Sequence, residues 1–278
     1  MMKNKSVIIV LIVILSCMVI LLTGGFIFLL NNNFNFNLNF NASDIKLIES
    51  TDIESNSIDN IKLYSYNADI EIKESDNDIR VEYYSNSEKN PKIIKNDNEI
   101  ILDERNYDMS CFGFCFINRR VVLYIPSDYD GKFDIETVSG DIYSNINIVN
   151  DISMITTSGD IELLEVNDIS VVTTSGDIKV SKTNKISAVT TSGDVTINRV
   201  NERVSVKTTS GDIILKNLDI KDNSSVKTAS GDVSINNNIS NCYVETSTTS
   251  GDTNINKSDR KSDLILKIKT TSGDITVN

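Results

Sequence analysis

The chain has 278 residues, with 39 acids against 27 bases for a formal charge of −12, and it contains neither histidine nor tryptophan. Without histidine it lacks the commonest general base and metal ligand, which excludes Ser-His-Asp and Cys-His catalysis and His-ligated zinc. Residues 31–278 hold all 39 acids against 25 bases, so the body repels phosphate backbones and no nucleic-acid partner is expected.

Residues 1–6, with Lys3 and Lys5, read as a cytoplasmic tail. Residues 7–30, VIIVLIVILSCMVILLTGGFIFLL, run without a charge, and about 20 apolar residues span a bilayer. The next basic residue is Lys46. Positive charge stays inside, so a single-pass membrane protein with its body outside the cytoplasm is expected. A cleaved signal peptide is the alternative, but the run exceeds the 7–15 residues of a signal core and ends in no small-x-small site. Ile14-Leu15-Ser16-Cys17 faintly resembles a lipoprotein cleavage box, with Leu15 bulky for that motif. Residues 31–44, NNNFNFNLNFNASD, form a low-complexity tether.

Residues 45–132 read as an irregular β region that caps the N-terminal end of a repeat domain at 133–278. Ile61–Ile72 alternates apolar and polar residues around Asn67-Ala68-Asp69, and further strands are expected over 79–84, 99–103 and 120–126. Cys111 and Cys115 close a glycine-containing loop. Outside the cell such a pair can form a disulfide, with free thiols as the alternative. Phe112, Phe114 and Phe116 read as a buried aromatic cluster or as a binding tip.

Residues 133–278 spell one motif eight times, from TVSGDI at 137–142 to TTSGDI at 270–275. Its glycines are Gly140, Gly159, Gly176, Gly193, Gly211, Gly231, Gly251 and Gly273, at steps of 17 to 22 residues. Self-similarity near 20 residues marks stacked supersecondary units. Pairs such as Ile152/Met154, Ile169/Val171 and Val204/Val206 precede the motif with period two, and pairs such as Ile178/Val180 and Ile213/Leu215 follow it. Period two with β-branched enrichment means strands with one buried face. One unit cannot bury that face alone, whereas eight can share a core. The expected fold is therefore all-β, an eight-coil β-solenoid behind a transmembrane helix. An antiparallel sandwich of hairpins is the alternative.

Each letter of the motif has a structural reading. Glycine permits a positive φ or a close backbone approach. Aspartate can accept hydrogen bonds from nearby backbone amides and hold the turn, and threonine suits a strand. The rival reading is a calcium row of Asp141, Asp160, Asp177, Asp194, Asp212, Asp232, Asp252 and Asp274, although calcium takes six to eight oxygens and each corner offers one carboxylate. The strands at Leu264–Thr270 and Ile275–Val277 are expected to leave an open edge that favours weak self-association or partner docking.

The passage VVLYIPSDYDGKFDIETVSGDI followed by recurring T-T-S-G-D-I/V resembles a family of bacterial β-strand-repeat proteins, grouped as adhesin-like proteins or domains of unknown function. The family includes LiaG-like proteins linked to cell-envelope stress operons. The resemblance covers roughly residues 45–278. It implies an all-β, often membrane-attached repeat domain and supplies no catalytic residues. The chain is thus expected to be no enzyme and to need no cofactor. It is read as a surface scaffold or adhesin-type protein that binds an envelope protein or glycan. A calcium- or glycan-binding module built on the aspartate row is the alternative.

Overall fold

The computed structural model describes residues 45–87, 91–105, 117–148, 151–236, 241–256 and 258–278. The expected anchor and tether, Cys111, Cys115 and the three phenylalanines of that loop lie outside the described residues. Among the described residues there is one 3-10 turn, Ser55–Ser57, and no helix is long and apolar enough to cross a membrane.

The N-terminal region contributes β1 (Lys46–Glu54), β2 (Asn60–Tyr64), β3 (Ala68–Ser75), β4 (Asp78–Ser85), β5 (Ile93–Lys95), β6 (Glu99–Asp103) and β7 (Arg119–Pro126). The repeats contribute β8 (Lys132–Glu136), β9 (Ile142–Ile148), β10 (Ile152–Ile155), β11 (Ile161–Val172), β12 (Ile178–Val189), β13 (Val195–Ile197) and β14 (Val200–Lys207). They continue with β15 (Ile213–Lys216), β16 (Ser224–Lys227), β17 (Val233–Asn236), β18 (Tyr243–Ser247), β19 (Thr253–Ile255), β20 (Ile265–Lys269) and β21 (Ile275–Val277).

Every corner glycine has a strand before it and a strand after it, and corresponding strands of neighbouring coils pair in parallel. Ile152 pairs with Phe133 on one side and Ile169 on the other, while Ile161 pairs with Ile142 and Ile178. The hairpin sandwich is thereby corrected: repeat strands in a sandwich would pair antiparallel, and these do not. Like residues stack on like. Ile161, Ile178, Val195 and Ile213 form one fully buried column, each side chain stabilising the stack by about 1.5–3 kcal/mol.

The N-terminal region adds two coils, β2/β3 and β6/β7, so ten coils stack among the described residues. Their order in space departs from their order in sequence at both ends. Coil β2/β3 lies between β6/β7 and β8/β9. Coil β20/β21 lies between β16/β17 and β18/β19. The expected open edge at Leu264–Thr270 and Ile275–Val277 is therefore corrected. Both strands are paired on both flanks, and the outermost coil is β18/β19.

Residue polarity explains the exchange. Leu266, Ile268, Ile275 and Val277 are all fully buried. In the outer coil Thr253 and Asn254 are exposed, at places where inner coils carry an isoleucine or valine and its neighbour. The more apolar coil takes the position with two neighbours. The connection after β19 then folds back over the outer strand. The Val244 N–H donates to Ser258 Oγ at 2.9 Å, and the Asp259 N–H donates to the Cys242 carbonyl at 3.0 Å. At the other end β4 pairs antiparallel with β7, β1 with β4, and β5 with β6.

Candidate functional site

The corner aspartates form one continuous ladder between coils. The backbone N–H of Asp160 donates to Asp141 Oδ1, that of Asp177 to Asp160 Oδ1, and that of Asp194 to Asp177 Oδ1, at 2.8, 2.8 and 2.9 Å. The ladder continues through Asp212, Asp232 and Asp274 to Asp252, each step 2.8 Å. It starts one coil earlier than the repeat, because the Asp141 N–H donates to Asp69 Oδ1 at 3.1 Å. Each carboxylate up to Asp274 thus holds the neighbouring coil rather than its own turn, and Asp252 ends the ladder. Stacked carboxylates about 4.8 Å apart repel, and the charge-assisted bond to an amide offsets this.

Glycine is required by the approach of adjacent corners. A Cβ on Gly176 would sit 1.9 Å from the Gly159 carbonyl oxygen. Where Gly231 stands, φ is +155° as well, and a Cβ would lie 2.1 Å from the Gly211 oxygen. Ala68 is tolerated because its neighbour on the far side is Arg119, in extended pairing and not in a tight corner.

The threonine works in two ways. In the Gly140, Gly159 and Gly176 corners the glycine N–H donates to the threonine Oγ1 of the same coil, at 3.0–3.1 Å. At Gly211, Gly231 and Gly273 the glycine N–H donates to a serine carbonyl of the adjacent coil, and from Thr190 onward the threonine hydroxyl donates to a glycine carbonyl of the adjacent coil. The change coincides with the longer repeats of the C-terminal half. Thr156, Thr173, Thr190 and Thr208 are each 2% exposed.

A second corner carries an asparagine ladder. Asn184 Nδ2 donates to Asn167 Oδ1 at 2.6 Å, and Asn201 Nδ2 donates to Asn184 Oδ1 at 3.0 Å. Their recurrence at 17-residue steps is a signal that could have identified the ladder.

Under the first corner of coil β6/β7, Glu104 occupies the place of the repeat threonine. It accepts from Ser65 Oγ at 2.6 Å, from the Tyr66 N–H at 3.0 Å and from the Tyr83 hydroxyl at 2.5 Å, with Arg119 Nε at 3.5 Å. Burial first, and then the Glu104 charge, push the Tyr83 hydroxyl above its usual range. This is a closed, buried polar cluster. Cys242 lies in the core, where burial pushes its thiol up to about 11. Among the described residues no three acid or thiol groups converge on a point that could hold a metal ion.

What varies between coils is the outward side of the strand before the corner. Immediately before the first threonine, Ile155, Val172 and Val189 pair in succession and are 41%, 41% and 38% exposed. Lys207, Lys227 and Lys269 continue that column. Two residues earlier a parallel column reads Ser153, Ser170, Ser187, Ser205 and Ser225. Beside it runs a groove of ≈ 470 Å³ flanked by Asp168, Lys185 and Arg203.

The crystal structure of a "putative cell adhesion protein" from Clostridium sporogenes aligns over 84% of this chain and 99% of that one, at 11% identity and a TM-score of 0.33. No curated protein matches the sequence. The family model Toastrack DUF4097 matches residues 58–278, the whole stack from just before its first coil. A match of that extent makes the chain a member of the Toastrack DUF4097 family, a β-repeat family of unknown function.

Proposed function

We propose that the chain is a non-enzymatic, membrane-anchored scaffold of the adhesin type. Its stack stands outside the cytoplasm and presents its outer columns to a component of the cell envelope. The observation that carries this reading is where the motif directs its polar atoms. Aspartate Oδ1 bonds to the neighbouring corner, and threonine Oγ1 bonds to a glycine of its own or the neighbouring corner, so the repeated residues build the support and the variable outward residues meet the partner. Solenoid-type stacks offer long, rigid surfaces of this kind. The committed Oδ1 atoms give the calcium-row alternative no support.

The anchor rests on the uncharged run at 7–30 with lysines ahead of it. Protease added to intact protoplasts should degrade residues 45–278 and leave a membrane-embedded N-terminal fragment. A fully protected body overturns the outside orientation, and a body released into the medium overturns the uncleaved anchor.

A further inference from the structure

Three lysines stand in an uncompensated row on the outer face. Lys207 pairs directly with Lys227, and Lys227 with Lys269. Neighbouring strands lie about 4.8 Å apart, and like charges directly opposite each other destabilise a sheet. All three are exposed. Among the described residues none has a carboxylate within the 4.0 Å of an ion pair, whereas Lys267 in the next column holds Glu245 at 3.0 Å and Lys185 holds Asp168 at 2.8 Å. A chain with 39 acids has left this row unpaired.

We propose that this face binds an extended anionic glycan, bearing phosphate or uronate groups, laid along the axis of the stack. The lysine row would take the anionic groups. Further up the same column the exposed Ile155, Val172 and Val189 offer aliphatic surface to the C–H faces of sugar rings. The serine column beside them supplies hydroxyls at the same repeat, and such a surface fits a repeating, hydroxylated polymer. It does not suit single-stranded nucleic acid, since these columns carry no aromatic side chain between Ser153 and Lys269 on which bases could stack.

The net charge of −12 opposes a polyanion at long range. At physiological salt, however, screening acts over about 8 Å, and contact at the lysines lies well inside that distance. On this face Glu245 is engaged by Lys267, and Glu136 lies four coils from Lys207. The carboxylates of Asp212, Asp232 and Asp274 lie round the corner, five residues further along each coil.

The inference deepens the envelope-scaffold reading and rests on it for where such a polymer is met. Its test uses purified chain, so the two readings fail separately. Full-length protein in detergent micelles is immobilised and exposed, at physiological salt, to polygalacturonate, phosphomannan, poly-L-glutamate and neutral dextran. Binding is expected to one or both anionic glycans and not to dextran; preference between the two identifies uronate or phosphate. The triple variant Lys207→Gln, Lys227→Gln, Lys269→Gln should weaken binding by about tenfold or more. Lys95→Gln, Lys179→Gln, Lys216→Gln makes the same charge change elsewhere and should leave binding within about twofold. Matching thermal melts establish that both variants fold, and single Lys227→Gln replaces the triple if it does not. No binding to either glycan overturns the proposal, as does equal loss in the two triple variants. Equally tight binding to poly-L-glutamate overturns the choice of a glycan.

Discussion

Both ends of the stack place the sequence-terminal coil one position in from the end, yet they are closed by different means. At the N-terminal end the open hydrogen bonds of β6/β7 pass to antiparallel strands β4 and β5, and Glu104 fills a corner with a buried polar cluster. At the C-terminal end a coil of the repeat itself is made polar, with Thr253 and Asn254 exposed and Ser258 accepting the Val244 N–H. A stack end can thus be closed by added architecture or by wetting its last coil.

The comparison breaks most severely if the coil order is wrong. Deleting residues 265–278 should abolish hydrogen-exchange protection in β18 and β19 as well, because their inner neighbour is gone. Retained protection at Tyr243–Ser247 would mean that β18 packs directly on β16. Next in size, Glu104→Ala leaves Arg119, whose side chain is 6% exposed, without its carboxylate and should cost about 3–5 kcal/mol in chemical denaturation. Ser258→Ala at the opposite end should cost about 1 kcal/mol. Equal costs would show that the two closures do not differ in kind.

Thr253→Ile adds an exposed aliphatic to an open parallel edge, and concentration-dependent sedimentation should follow; a variant that stays monomeric shows that polarity is not what protects this edge. In the middle of the stack, Asp177→Ala should cost about 1 kcal/mol, whereas Asp177→Asn keeps the acceptor, relieves repulsion and should melt at or above the parent temperature. Destabilisation by both alike would place the effect in the charge. The smallest effect is alkaline and confined to the N-terminal end. Burial, followed by the hydrogen bond to Asp134, pushes the Tyr64 hydroxyl up to about 12. A raised value holds the neutral form in the fold, so its contribution is complete below about pH 10 and is lost as pH rises through about 12. Tyr64→Phe should flatten that part of the pH–stability curve, and an unchanged curve would assign the loss to other groups.

The coils were legible because alternation with one recurring corner has few other solutions. Glycine and aspartate were legible as structural types, but the partner of each aspartate was not, since it lies 17 to 72 residues away in sequence. The exchange of the last two coils was hidden because TTSGDT and TTSGDI are nearly the same corner. Thr246 and Thr253, in places where the adjacent coil buries Ile268 and Ile275, were the local signs of an outer position. The antiparallel strands at the N-terminal end lacked a repeat to read, and the lysine row became visible only when copies were aligned by register.

The inward placement of β20/β21 bears on how the molecule meets mechanical load. A strand at the rim of a sheet unzips under tension one bond at a time. A pull at Asn278 must instead draw β21 out from between β17 and β19, breaking two ladders together. At the other terminus β1 can peel from β4, but the first coil behind it is again held on both sides. A protein held at one end and drawn by its partner at another would resist stretching by shear rather than by unzipping.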